Sequence, residues 1–263
     1  MKKQTKDTEV HGLVVSCTDI GERDRMLSLL TAEAGLISVF AGGAKQLKNR
    51  YMAATQPFCY GKYLLSASGG KYTLKEVDLE ETFYELRTGL GEAALASYVC
   101  EVISYTGTEQ PDDALLRLAL NTLYAISNKL YPLSHIKCAF ELRLSCLLGF
   151  MPDVEGCAYC AKTDGEFVLH IAKGHLVCGE CRGTLAAREA REEGEDNASI
   201  CLISEGVRHS IRYIVNAPVN RLFSFRLTKE EDHMLLARAA EEYLAWHTDK
   251  HYQTLDFYKQ VTQ

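Results

Sequence analysis

The sequence lacks any apolar run long enough to cross a membrane. The longest runs, such as Leu147 to Met151, fall far short of the roughly 20 residues that span a bilayer. No charged and then apolar leader precedes a cleavage site, so we expect a cytoplasmic protein without a membrane partner. In that compartment the ten cysteines are expected to be buried thiols and metal ligands, because disulfides form mainly in exported proteins.

Sequence motifs that mark common enzymes are also missing. Neither Gly42-Gly43-Ala44-Lys45 nor Gly69-Gly70-Lys71-Tyr72 fits the phosphate-loop pattern G-x-x-x-x-G-K-[ST]. The chain has no H-E-x-x-H, no G-x-S-x-G, no dinucleotide fingerprint and no zinc-deaminase pattern. We therefore expect a protein that is not an enzyme and has no small-molecule substrate.

The chain carries no overall excess of positive charge. Its formal net charge is −6, which argues against a uniformly basic nucleic-acid-binding protein. Residues 1–75, however, contain eleven Lys or Arg against six Asp or Glu, and the remaining 188 residues carry a net charge of −11. A basic end on an acidic body predicts local binding of an anionic polymer.

The first 80 residues show short β-like runs separated by turn signals. Apolar runs cover Val10–Cys17, Leu36–Ala41, Tyr60–Ala67 and Lys71–Leu79, and Gly69-Gly70 predicts a hairpin between the last two. The segment Arg23–Glu33 fits either a strand or a helix. Four or five strands in about 80 residues favour a small closed barrel, because closure leaves few open sheet edges.

After Leu79 the apolar period lengthens to that of helices. Three amphipathic helices are predicted between Leu90 and Gly149, the second opened by Asp112 and Asp113 and the third capped by Ser134. Later helices are predicted at Glu205–Val215 and after a capping box of Thr228 and Glu231. We expect these late helices to pack on the earlier ones, which makes the helical domain discontinuous. The acidic run at residues 189–198 is predicted to be a surface link.

The strongest motif is a pair of C-x-x-C knuckles. Cys157 and Cys160 are followed, after seventeen intervening residues, by Cys178 and Cys181, a spacing typical of structural zinc sites. Two short strands between the knuckles are predicted to form a hairpin, with His170 and His175 on its surface. The alternative is four unligated thiols or a redox pair. The other cysteines are predicted to be core residues: Cys17, Cys59, Cys100, Cys138, Cys146 and Cys201.

A basic segment at residues 42–51 is followed by Phe58, Tyr60 and Tyr63. Cations neutralise phosphates and aromatic faces stack on unpaired bases, so the segment indicates nucleic-acid binding. The alternative is that the aromatic side chains belong to the core and the lysines only solvate a loop. The candidate DNA-binding residues are Arg23, Arg25, Lys45, Lys48, Arg50, Tyr51, Lys62, Lys71 and Lys75.

In their order along the chain, these features resemble the bacterial RecO family of recombination mediators. The residues that carry the resemblance are Val14, Gly21-Glu22-Arg23-Asp24, Leu29-Leu30-Thr31, Gly35 to Ala41, Gly43-Ala44-Lys45, Gln56-Pro57-Phe58, Phe140-Glu141-Leu142, Leu147, Gly149-Phe150 and Pro152. The resemblance implies an α+β multidomain protein, with an OB-fold β-barrel at 1–80, a discontinuous helical domain at 81–155 and 186–263, and a zinc-binding insert at 156–185 holding one structural Zn²⁺. It also favours the strand interpretation of Arg23–Glu33.

The resemblance further implies a function without bond chemistry. Proteins of this family bind single- and double-stranded DNA, anneal complementary strands, and with RecR help RecA to load onto strands coated by single-stranded-DNA-binding protein. The acidic tail of that coating protein would contact the helical domain, for which Lys137, Phe140 and Arg143 are the candidates. Such a protein would be associated with the nucleoid. The competing hypothesis is a zinc-containing scaffold that binds proteins and contacts DNA only incidentally.

Overall fold

The computed structural model describes residues 6–46, 48–183 and 200–262. The predicted surface link at 189–198 lies outside these residues. Contacts divide the chain into a barrel unit, Met1–Leu130 with Tyr252–Gln263, and a cysteine unit, Tyr131–His251. The two units are separated at 130/131 and 251/252 and not at the predicted boundaries near residues 80, 155 and 185. Those boundaries remain a prediction. In the described ranges, no helix is both long and apolar enough to cross a membrane.

Strands dominate the first 81 residues, and helices dominate most of the chain that follows. The strands are β1 (Lys6–Ile20), β2 (Asp24–Thr31), β3 (Gly35–Ala41), β4 (Tyr60–Ser68), β5 (Lys71–Glu81), β6 (Asp153–Cys157), β7 (Phe167–His170), β8 (His175–Cys178) and β9 (Ile200–Ile203). The helices are α1 (Leu90–Thr106), α2 (Asp113–Ser127), α3 (Leu133–Leu147), α4 (Glu205–Asn216), α5 (Glu230–Thr248) and α6 (Gln253–Thr262).

The first five strands form one closed sheet in the order β1-β2-β3-β5-β4, with β4 paired back to β1. Neighbouring strands are antiparallel except β3 and β5, which run parallel. Inward side chains such as Val14, Leu27, Leu29, Val39 and Leu65 are buried in its core. The segment at 24–31 is a strand because β1 and β3 both satisfy its backbone hydrogen bonds, an arrangement that local periodicity cannot reveal.

The turn between β4 and β5 is a two-residue hairpin. Gly69 and Gly70 have φ of 59° and 77°, and Ser68 faces Lys71 across the turn. Positive φ at both central residues matches the twist of the flanking strands and is easiest for glycine. The predicted hairpin is confirmed.

Three helices accompany the barrel in its unit. At the start of α2, the Asp112 side chain accepts a hydrogen bond of 2.8 Å from the backbone N–H of Leu115, so its predicted role at a helix start is confirmed. Helix α6 packs on α1, where Tyr252 is buried and its ring lies 5.7 Å from that of Tyr98, edge to face. Glu101 on α1 accepts a hydrogen bond of 3.0 Å from the Thr254 N–H.

The cysteine unit combines a small sheet with three helices. The sheet order is β6-β8-β7-β9, and the predicted hairpin is confirmed by the antiparallel pairing of β7 with β8, in which His170 faces His175. Helix α3 packs mainly against α5 and also against α4. Buried Phe140 and Leu144 on α3, Ile211 on α4 and Leu244 on α5 contribute to this core.

Two predicted helix starts are wrong. Helix α3 begins at Leu133, because the carbonyl of Pro132 accepts the first helical hydrogen bonds, which leaves no capping role for Ser134. Helix α5 begins at Glu230 after Lys229, and no side chain caps it, so the capping box of Thr228 and Glu231 does not form. The end of α3 agrees with the sequence, since Gly149 has a φ of 92°, which is typical of residues that stop helices.

Candidate functional site

The four knuckle cysteines converge at one end of the small sheet. Cys157 ends β6, Cys160 lies in the turn that follows, Cys178 ends β8, and Cys181 lies in a helical segment starting at residue 179. Their Sγ atoms all lie within 4.8 Å of one another. The hairpin of β7 and β8 therefore brings the two knuckles together, as the spacing predicted.

The geometry of this cluster fits a tetrahedral metal ion. A Zn–S bond of about 2.3 Å requires tetrahedral sulfurs to lie about 3.8 Å apart. The Sγ atoms of Cys160 and Cys178 are 3.7 Å apart, much longer than a disulfide bond of about 2.05 Å. All ten cysteines are free. Four thiols with this arrangement could hold one divalent cation and leave no coordination position for water.

The pKa values of these thiols differ. Burial opposes ionisation of Cys157, but backbone N–H groups of Cys178, Tyr159 and Cys160 outweigh it and lower the pKa to about 6. Side-chain hydrogen bonds with Cys160 and Cys178 raise the pKa of Cys181 to about 12, because they favour its protonated form. A cation bound between the four sulfurs would favour the ionised form of all of them near neutral pH.

A buried arginine that the sequence did not single out supports the first knuckle. Arg208 on α4 donates to the carbonyl oxygens of Thr163 and Glu155, the latter at 3.3 Å, and its guanidinium lies 5.2 Å from the Phe167 ring centroid. On the next turn of the helix, Arg212 forms a 2.9 Å ion pair with Glu155. No local signal reveals this support, because its partners are 45 and 53 residues away along the chain.

The histidines of the hairpin differ from the prediction. His170 is buried rather than on the surface, because all four residues of β7 face covered positions. His175 is half-buried, and burial lowers its pKa. The remaining six cysteines agree with a core role: Cys59, Cys100, Cys138 and Cys201 are buried, while Cys17 and Cys146 are half-buried. Burial raises the pKa of Cys100 to about 12.

One group of candidate DNA-binding residues lies where the β1–β2 turn meets the connection after β3. The N–H of Lys45 donates to the Arg23 carbonyl at 2.9 Å, while the Lys45 and Arg25 side chains both contact the Asp19 carboxylate, at 2.8 and 3.3 Å. These cations lower the pKa of Asp19. Together Arg23, Arg25 and Lys45 form what we call the basic corner. Lys48 is exposed in the same connection.

A second group surrounds a pocket of about 390 Å³ on the outside of the barrel. Arg50, Tyr51 and Lys62 line it together with Glu9, Glu76, Leu64, Val77 and Asp78. Arg50 lies 4.6 Å from the Tyr51 ring centroid and pairs with Glu76 at 2.9 Å, while Lys62 pairs with Glu9 at 2.8 Å. The cations of this surface are thus matched by carboxylates, and we call it the acidic wall.

The remaining candidates lie apart from these groups. Lys71 is exposed beside the β4–β5 turn, and Lys75 pairs with Asp7 at 2.6 Å. Phe58 and Tyr63 are buried, the Tyr63 hydroxyl donating to the Ala54 carbonyl at 3.0 Å, so the core interpretation holds for both. Tyr60 is half-buried.

The net charge of the barrel is different when all of β5 is included. Continuing from residue 75 to Glu81 adds the carboxylates of Glu76, Asp78, Glu80 and Glu81. Residues 6–81 then hold nine Lys or Arg and ten Asp or Glu, a net charge of −1. The barrel is therefore not basic overall. Arg23 and Lys48 are exposed and form no ion pair with a described residue, whereas Arg25 and Lys45 of the basic corner share the Asp19 carboxylate.

The predicted partner residues do not form an exposed pocket. Lys137 is buried between Glu141 and Glu241, with a 2.8 Å ion pair to each, and Phe140 is fully buried. Arg143 donates to the carbonyl oxygens of Ile214 and Ala217. All three side chains hold the helices of the cysteine unit together, so this structure does not offer them to an acidic tail.

Comparison with known proteins agrees with the order of the two regions along the chain. The family described as Recombination protein O N terminal matches residues 3–83, and the one described as Recombination protein O C terminal matches residues 87–256. The chain is 30% identical over 251 residues to the DNA repair protein RecO of Acetivibrio thermocellus, covering 94% of each chain. It is 33% identical over 172 residues to that of Bacillus pumilus, covering 65% of this chain and 66% of the relative.

Proposed function

Because this chain belongs to the RecO family, which acts in DNA repair and recombination, we propose that it is a recombination mediator and not an enzyme. It binds single- and double-stranded DNA, promotes annealing, and with RecR assists the loading of RecA onto strands coated by single-stranded-DNA-binding protein. These steps require charge neutralisation and positioning of strands but break no covalent bond. The protein would work in the cytoplasm, at the nucleoid.

The basic corner is the observation that carries this proposal. Arg23 in the β1–β2 turn, Arg25 in β2 and Lys45 in the connection after β3 meet at one end of a closed five-stranded sheet, which we assign to the OB-fold. Loops of this fold bind oligonucleotides, and Arg and Lys release condensed counterions when they meet phosphates. Lys48, exposed in the same connection as Lys45, adds a further cation to this surface.

The cysteine cluster would have a structural role in this function. We assign one Zn²⁺ per chain, held by Cys157, Cys160, Cys178 and Cys181, because four thiolates in tetrahedral geometry favour zinc among common cellular cations. When bound, the ion fixes the two knuckles and completes the fold of the insert. The protein side chains around it, Arg208 above all, orient the knuckle backbone.

The acidic wall favours a second candidate function, a protein-binding scaffold with incidental DNA contact. Lys62, Lys75 and Arg50 are each paired with a carboxylate of the barrel, and the barrel carries a net charge of −1. Cations that are already neutralised in this way gain little from contact with phosphates. This alternative predicts weak DNA binding that does not depend on which cations of the barrel are removed.

The two candidates can be separated with a pair of matched variants. Arg23→Gln with Lys48→Gln removes two exposed cations that form no ion pair in the described part of the chain. Lys62→Gln with Lys75→Gln is the control, because it removes the same charge from residues already paired with Glu9 and Asp7. Binding of a fluorescent single strand by the full zinc-loaded chain is measured across a salt titration.

We expect the first variant to bind on the order of tenfold more weakly at low salt, and to flatten the slope of log K against log salt by about 1.4, which corresponds to two lost phosphate contacts. The control should change the slope little. Equal slopes in both variants and the parent protein would contradict the proposed DNA surface and favour the scaffold.

A further inference from the structure

The cysteine unit contains a stretch without acidic residues. Residues 206–229 include five Lys or Arg and no Asp or Glu, although the chain after residue 75 carries a net charge of −11. Arg208 and Arg212 in this stretch hold the knuckle backbone and Glu155. Their structural role leaves the cations of the segment after α4 without an assigned function.

These later cations are open to solvent. Arg221, Arg226 and Lys229 are exposed, and none of them forms an ion pair with another described residue. Lys229 precedes Glu230 and Glu231 at the start of α5, so its charge is locally balanced. Arg221 and Arg226 have no acidic neighbour in sequence. Exposed arginines kept free of carboxylates are suited to an anionic partner.

The backbone that carries the two arginines is held firmly, although residues 224–229 have no regular secondary structure. Phe225 stacks on His135 with ring centroids 3.8 Å apart, and the His135 Nε2 lies 2.9 Å from the Phe223 carbonyl oxygen. The Tyr213 hydroxyl donates to the Arg221 carbonyl at 2.8 Å. Buried anchors on either side therefore position both arginines before any partner arrives.

Two half-buried aromatic side chains belong to the same anchoring cluster. Tyr131 stacks on His135 with centroids 5.2 Å apart, and Tyr213 lies 6.4 Å from Phe225. Cationic side chains and aromatic rings are the groups that contact phosphates and bases of single strands.

We propose that Arg221 and Arg226, with Tyr131 and Tyr213, form a second surface for nucleic acid, which we call the arginine surface. Its ligand is the phosphate backbone of a strand, because planar guanidinium groups match phosphate oxygens and the tyrosines offer faces to unpaired bases. The inference rests on the proposed function, since it gives the DNA a contact in the cysteine unit in addition to the basic corner. A surface in each unit would allow two strands to be held at once.

The test compares three variants of the full zinc-loaded chain. Arg221→Gln with Arg226→Gln removes the arginine surface, and Arg23→Gln with Lys48→Gln weakens the barrel surface. Arg117→Gln with Lys129→Gln is the matched control, because both side chains are exposed, lie in the barrel unit and belong to neither surface. The measurements are salt-dependent binding of a single strand, annealing of two complementary strands, and hydrogen exchange of residues 221–229 with and without DNA.

We expect the arginine variant to flatten the salt slope by about 1.4, to slow annealing at least severalfold, and to keep the cooperative unfolding of the parent. DNA should slow hydrogen exchange of residues 221–229 in the parent chain. An unchanged slope and annealing rate, while the barrel variant weakens both, would overturn the arginine surface alone. Loss of affinity for a polyglutamate peptide without any change in DNA binding would overturn it in favour of an acidic protein partner.

If the parent chain itself shows no salt-dependent DNA binding, the proposed function fails, and the arginine surface fails with it. This outcome differs from the failure of the arginine surface alone, in which the parent still binds DNA. The arginine surface is supported only when the arginine variant differs from the control variant, since both lose two positive charges.

Discussion

The barrel unit and the cysteine unit differ in what they bury. Among the described residues, the buried polar side chains of the barrel unit are threonines, Thr31, Thr55 and Thr122. The cysteine unit buries the charged or titratable groups of His135, Lys137, Glu141, His170, Arg208 and Asp232, together with the hydroxyls of Ser145 and Ser210. The barrel is therefore stabilised mainly by removing apolar surface from water, whereas the cysteine unit depends on a set of specific polar pairings.

Two ion pairs of equal length illustrate the difference. Lys62 lies 2.8 Å from Glu9 on the barrel, with 40% and 54% of the side chains exposed, and water screens the attraction. Lys137 lies 2.8 Å from Glu141 in the cysteine unit, where the side chains are 5% and 0% exposed. The same distance thus has different consequences, because a charge left alone in the interior cannot be hydrated.

The largest effect is expected at the cysteine cluster. Cys157→Ser should lower bound zinc from about one ion per chain to nearly none, as measured by elemental analysis of reduced protein. Because metal binding contributes directly to folding, the free energy of unfolding of the cysteine unit should fall by about 5 kcal/mol or more. Limited proteolysis should then cut first within residues 153–183.

A matched control is Cys17→Ser, which alters a half-buried thiol packed against the barrel core. It should retain the metal and lose only a modest part of the stability. Equal metal content in parent and Cys157→Ser protein would show that the four sulfurs are not the ligands.

The next effect is expected at the buried lysine. Lys137→Met should destabilise the cysteine unit by about 3–5 kcal/mol, because it leaves the Glu141 carboxylate without its cation in the interior. Adding Glu141→Leu should restore much of this loss. Unfolding by denaturant measures both changes.

Lys62→Met on the barrel is the comparison variant and should have little effect on unfolding. If Lys62→Met lowered the free energy of unfolding as much as Lys137→Met does, the distinction between the two units would be contradicted. If Glu141→Leu did not restore the stability lost in Lys137→Met, the destabilisation would arise from another unpaired group, for example Glu241.

The smallest effect concerns pH. Burial lowers the pKa of His135 below 6.5, and the nearby His233 ring, 6.3 Å away, adds to this shift. The unfolded chain therefore takes up the proton more readily, so the stability that depends on neutral His135 is present above pH 6.5 and is lost as the pH falls below it. The thermal midpoint should decrease on acidification, and less steeply in His135→Gln.

His11→Gln is the control for this change, since His11 lies on the outside of the barrel. Protonation of the four knuckle thiols affects every variant equally, so the difference between the slopes reports His135. Identical slopes for His135→Gln and the parent would contradict a buried neutral imidazole.

The sequence predicts those features whose causes are local. Gly69-Gly70 fixes a hairpin through its own backbone freedom, and the two C-x-x-C knuckles require only that a short hairpin bring them together. Asp112 caps a helix three residues away. The closed sheet follows from several short strands, because closure gives hydrogen-bond partners to the backbone groups of the edge strands.

Features with distant causes were not predictable in this way. Lys137 was a candidate for an acidic partner because it lies beside Phe140, yet its side chain is buried and paired with Glu241 of α5, about 100 residues further along the chain. The start of α3 was decided by the Pro132 carbonyl rather than by the better capping side chain of Ser134.

The return of the chain to the barrel unit has a consequence for synthesis. Tyr252 is buried against Tyr98, and Glu101 accepts a hydrogen bond from Thr254. The barrel unit is therefore completed by residues that lie more than 120 positions after the end of α2 in the chain. Most of the cysteine unit is therefore synthesised while α1 still presents an uncovered face. Nascent chains halted near residue 250 should be bound by chaperones at that face.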